Sequence, residues 1–155
     1  MSMLVVGLGN ILLSDEGIGV HIVNALRNRP LPPSVTLMDG ATIGVDLLDD
    51  ILSSDRVIIV DSARMGMSAG EHRTFTLTGV EDSMFPNYSL HDISLPETLK
   101  LGEIVGSLPP IIIVGIEPSS IEPGTTVTDA LSTRFNDYVE HVWQTILDFN
   151  EEAVN

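Results

Sequence analysis

The chain has 155 residues, no cysteine, and seven basic against 22 acidic residues, for a net charge of −15. The missing cysteines exclude disulfides, thiolate metal sites and a cysteine nucleophile, and they fit a reducing compartment. The acidic balance, with Lys100 the single lysine, argues against nucleic acid and anionic membranes as partners and leaves cations and basic peptides. With 43% hydrophobic and 19% charged residues, the composition is that of one globular domain, expected over residues 1–150 with a frayed tail at 151–155. No apolar run approaches the roughly 18 residues of a membrane span. The first residues read as a strand without a basic flank, so no signal peptide is seen and a cytoplasmic location is expected.

In chain order, Met3-Leu4-Val5-Val6 is a short apolar run that enters Gly7-Leu8-Gly9-Asn10, the pattern of a buried strand followed by a tight loop. Ser14-Asp15-Glu16-Gly17 precedes Ile18, Val20, Ile22, Val23 and Leu26, which predicts a helix near 16–28 with acids in its first turn. Pro30, Pro32 and Pro33 end it, and Val35 to Met38 reads as a second strand closed by Asp39-Gly40. Val45 to Leu52 suggests a short helix, and Arg56 to Val60 a third strand closed by Asp61-Ser62.

Beyond a loop at 64–70, alternation from Glu71 to Thr78 predicts a half-exposed strand. A long connection then leads to His91 and a helix near 92–106, where Pro96 is tolerable only in the first turn. Pro110 to Ile116 is a continuous apolar strand. Leu131, Phe135, Val139, Val142, Ile146 and Phe149 step at helical spacing and predict one amphipathic helix near 127–150. Strands alternating with helices, several apolar on both faces, give an α/β three-layer sandwich around a mainly parallel, twisted sheet of about five strands.

In such a sheet ligands gather at the carboxyl ends of the strands. The residues expected there are Gly7, Gly9, Asn10, Asp15 and Glu16, then Asp39, Asp61-Ser62 and Glu117, with His91 in an irregular connection. Glu16, Asp61 and His91 together offer two oxygens and one nitrogen, a set that leaves open positions on a divalent cation. Each also has a plainer role: Glu16 as a helix-start charge, Asp61 as a strand-end cap, His91 as a surface histidine. His21 and His141 lie in predicted helices and read as surface residues, and His72 has no evident partner. Gly7-Leu8-Gly9 invites a dinucleotide-binding reading, but the third glycine fails at Leu12 and two acids stand where a pyrophosphate would sit. There is no G-x-S-x-G elbow around Ser62 and no H-E-x-x-H helix.

The run Gly7 to Gly19, Gly-Leu-Gly-Asn-Ile-Leu-Leu-Ser-Asp-Glu-Gly-Ile-Gly, resembles the opening signature of the hydrogenase maturation endopeptidases. Asp39 to Gly44, Val60 to Ala63, Ser89 to His91 and Val114 to Pro118 resemble that family's later motifs in order, so the resemblance covers nearly the whole chain. It implies an endopeptidase that clips a C-terminal extension from the large-subunit precursor of nickel–iron hydrogenases after nickel insertion. It further implies that Glu16, Asp61 and His91 contact the metal, a divalent ion supplied as nickel by the substrate with no permanent cofactor, and that Asp39 acts in recognition or cleavage. A monomer acting on this precursor is expected. One departure is Ala41, where the family usually carries a second glycine after the aspartate; the added methyl restricts positive φ. Asp39 is expected either as a buried strand-end carboxylate able to take a proton from water or as an Asx-type turn that only caps the following segment. The alternatives are a non-catalytic metal- or peptide-binding module, or a nucleotide-binding oxidoreductase.

Overall fold

The computed structural model describes residues 1–40, 45–77 and 95–152. Five strands form one sheet: β1 (Met3–Leu8), β2 (Val35–Gly40), β3 (Arg56–Ser62), β4 (His72–Leu77) and β5 (Ile111–Ile116), in the order β2-β1-β3-β5-β4. The first four positions in that order are parallel, and β4 closes one edge antiparallel to β5. The central strands β1 and β3 are buried almost throughout, as their near-continuous apolar runs require when helices cover both faces. β4 is mostly exposed and carries Arg73, Thr74 and Thr76, residues suited to an unpaired edge.

Strand alternation divides the core in two. Met3, Val5, Ile58, Val60, Val114 and Ile116 face α1 (Ile18–Leu26) and α5 (Phe135–Glu152). Leu4, Val6, Leu8, Val57, Ile59, Ile111 and Ile113 face α2 (Val45–Leu52) and α3 (Leu95–Val105). This is the expected three-layer sandwich. α5 presents Val139, Val142, Ile146 and Phe149 to the first layer, a single stripe at helical spacing. Arg29 stacks over Trp143 at 5.0 Å and ion-pairs with Glu140, while Arg56 lies 4.6 Å over Phe149, so α5 is tied both to the segment after α1 and to β3.

Three elements differ from expectation. The helix expected from residue 16 begins as a 3-10 turn at Ser14–Gly17, and regular helix starts only at Ile18. The single helix expected near 127–150 is broken into α4 (Asp129–Ser132) and α5. The Thr133 hydroxyl donates to the Asp129 carbonyl at 2.9 Å, and this local competition for backbone groups accompanies the break. α5 also runs on through Glu151 and Glu152. Finally, His72 and His141 are not isolated: their rings meet with centroids 4.6 Å apart, and His72 packs edge-on against Tyr138 at 6.0 Å. The Tyr138 hydroxyl, in turn, donates to the Gly70 carbonyl at 2.5 Å.

Candidate active site

β1 leads through α1 to β2 on one side, while β3 lies on β1's other side and leads outward to β5. The crevice between the carboxyl ends of β1 and β3 is therefore the point where the winding reverses, the usual ligand position in an open α/β sheet. Glu16 and Asp61 come from its two walls. Asp61 is 1% exposed near the end of β3, and Glu16 is 8% exposed in the 3-10 turn, which packs against β3. Glu16 Oε2 and Asp61 Oδ1 are both fully enclosed oxygens.

Glycines bring these walls together. Gly9 has φ 116°, and a Cβ built there would lie 1.9 Å from the Glu16 carbonyl oxygen. A Cβ on Gly19 would lie 2.1 Å from the carbonyl oxygen of Val60, the residue before Asp61. The glycines thus seat backbone directly on backbone, which corrects the dinucleotide reading: they are filled by the protein's own chain and lead to a buried acid rather than a phosphate cradle. Gly9→Ala is expected to lower stability by about 2–3 kcal/mol through positive φ and overpacking, read as a fall in thermal midpoint.

The acids at the edge separate into two kinds. Asp15 is fully buried and accepts from the Ser119 and Ser120 amides at 2.8 and 3.1 Å and from the Thr128 amide and hydroxyl, both at 2.7 Å. Its neighbour Ser14, held at φ 52°, donates through Oγ to the Glu122 carbonyl at 2.7 Å. Asp15 is therefore a clamp between the first loop and the segment after β5, not a helix-start charge. Glu117 accepts from the Met65 and Met67 amides at 2.7 and 2.9 Å and shapes the loop after β3. Both carboxylates hold loops, whereas Glu16 and Asp61 are the buried acids at the strand ends flanking the crevice.

Asp39 ends up elsewhere than expected. It is exposed on the edge strand β2, not buried. Its register partner is Gly7, whose other neighbour is Val60, so one whole strand separates Asp39 from Asp61. Two strand spacings place their backbones about 10 Å apart. Alternation also sets them on opposite sheet faces, Asp39 with Leu37 and Asp61 with Ile59. These two carboxylates cannot share one ion without rearrangement of the strands. His91 lies outside the described residues; among those described, no group of three His, Asp or Glu side chains is placed to hold a metal. Carboxylates such as Glu16 and Asp61 are nonetheless the kind of oxygen donor that a divalent cation takes, with its remaining ligands from elsewhere.

A family model described as "Hydrogenase maturation protease" (HycI) matches residues 20–148. The chain is 34% identical to the Hydrogenase 2 maturation protease of Escherichia coli (strain K12), over 99% of this chain and 96% of that protein. It is 30% identical to the hydrogenase expression/formation protein HupD of Thiocapsa roseopersicina, over 97% of this chain and 70% of that one. Its structure matches that of the hydrogenase maturating endopeptidase HybD from E. coli with a TM-score of 0.81 at 33% identity, covering 96% of this chain and 93% of the other.

Proposed function

Because this chain belongs to the hydrogenase maturation protease family, we propose that it removes the C-terminal extension of a nickel–iron hydrogenase large-subunit precursor once nickel is in place. The observation that carries this reading is the burial of two carboxylates, Glu16 and Asp61, at the reversal point of the sheet. The nickel is part of the substrate. Glu16 and Asp61 offer it oxygen ligands, and His91 is proposed as the nitrogen ligand. A site that supplies so few donors completes itself only around an ion that arrives with ligands of its own, which makes the loaded precursor distinguishable from the empty one.

Asp39, one strand away and exposed, is proposed to act on the peptide rather than on the ion. Its backbone, about 10 Å from that of Asp61, lies within the span of a few extended residues of a bound peptide. There it takes a proton from the attacking water as the scissile carbonyl becomes tetrahedral, and returns it to the leaving amine. We place this step in the cytoplasm and assign it to a single copy of the chain. The absence of cysteine supports the compartment, and no described helix is long and apolar enough to cross a membrane.

Incubation with nickel-loaded and nickel-free precursor, followed by intact-mass measurement, tests the proposal. The expected result is loss of a C-terminal peptide from the loaded precursor alone. Binding without mass loss would make the chain a metal- or peptide-binding module, and equal cleavage of both forms would remove the sensing role. Asp39→Asn is expected to slow processing about 100-fold while leaving capture of the loaded precursor intact. Processing near the wild-type rate would remove the general-base assignment.

A further inference from the structure

We propose that His72 and His141, on the far side of the sheet from β2, form a second, two-imidazole site for a divalent transition metal. His72 opens the exposed edge strand β4, and His141 sits half-buried on α5. Their ring centroids are 4.6 Å apart with planes inclined by 40°. Two imidazoles on one ion have each ring centre about 3.2 Å from the metal, from a metal–nitrogen bond of about 2.1 Å. At a ligand angle of 90° the two centres then lie about 4.5 Å apart, and at the tetrahedral angle about 5.2 Å. The observed spacing matches the first, the angle of square-planar or octahedral ions such as Cu²⁺ and Ni²⁺, which imidazole suits.

The surroundings support the same site. The Thr74 hydroxyl lies 2.6 Å from His141 Nε2. With Nε2–H donating to that hydroxyl, the lone pair falls on Nδ1, the kind of orienting partner that metal-binding histidines commonly have. Tyr138 braces His72 edge-on and is itself anchored to the Gly70 carbonyl, so the His72 ring is steadied although the residue is exposed. Burial, and secondarily His72, hold the His141 pKa below its ordinary value. The net charge of −15 raises the local cation concentration.

The test is Cu²⁺ titration of a full-length Glu16→Gln, Asp61→Asn variant, whose main site lacks both carboxylates, read by calorimetry and by electron paramagnetic resonance. One equivalent is expected to bind with hyperfine coupling to two nitrogens. Adding His72→Ala, at an exposed position where the fold is checked by circular dichroism, is expected to weaken binding at least about tenfold and remove one nitrogen; His141→Gln is expected to do the same. Thr74→Val is expected to cost about tenfold, as loss of an orienting partner does. His91→Ala is expected to leave the signal unchanged. A two-nitrogen signal that survives both His72→Ala and His141→Gln, or the absence of saturable binding in the parent variant, would overturn the proposal.

Discussion

Asp15→Ala is expected to destabilise the protein by about 3–5 kcal/mol, more than any other single polar change at the crevice. The substitution leaves three backbone amides, of Ser119, Ser120 and Thr128, without the acceptor that now serves them. A buried donor deprived of its partner costs the full desolvation penalty, roughly 1–3 kcal/mol each before relaxation. For a chain of this size the thermal midpoint should fall by roughly 10 °C. Asp15→Asn is expected to rescue little. One of its two side-chain positions becomes an NH₂ group, and both carboxylate oxygens of Asp15 now face donors. Thermal denaturation of the two variants side by side checks this: full recovery in Asn would mean that shape rather than acceptor count matters at this position.

Glu16→Gln and Asp61→Asn are expected to behave in the opposite way, keeping the fold and losing the function. Each preserves shape while removing the charge that a divalent ion requires. Loss of an outer partner of a metal ligand commonly costs 10–100-fold, so if Glu16 and Asp61 ligate as proposed, loss of either is expected to reduce processing of the loaded precursor by at least about 100-fold. The thermal midpoints should stay near wild type, since each amide keeps the volume and shape of the buried side chain it replaces. Processing assays and melting curves on the same preparations separate this outcome from unfolding. Activity within a few-fold of wild type in either variant would remove that residue from the site.

The contrast between Asp15 and Glu16 shows where sequence reading reaches its limit. The strand runs and the acids at their ends follow from patterns within a few residues: Arg56 to Val60 can hardly be anything but a buried strand, and Asp61 at its end follows. Asp15 and Glu16 are adjacent and chemically alike, and nothing nearby tells them apart. What separates them are partners 104 to 113 residues away. The His72–His141 pair escapes for the same reason, as it joins a strand and a helix far apart in sequence. The interruption between Ser132 and Phe135 is invisible to a period count, since the apolar stripe continues across it. Asp39 departs from its expected burial because strand-end position says nothing about which strand lies at the edge; only the order β2-β1-β3 shows that it is exposed.

The clamp made by Asp15 and Ser14 also has a consequence for the order in which the molecule is completed during synthesis. Glu16 emerges from the ribosome early, but Ser119, Ser120, Glu122, Gly124 and Thr128, which hold its loop, emerge more than 100 residues later. At ordinary elongation rates that interval is roughly 5–20 s. Throughout it, β1, β2 and β3 can assemble while the loop carrying Glu16 has an acid but no mount. A nascent chain halted before Thr128 would hold all five strands and still lack a finished crevice. The site is the last part of the sheet edge to take shape, so a partly made chain is not a partly active one.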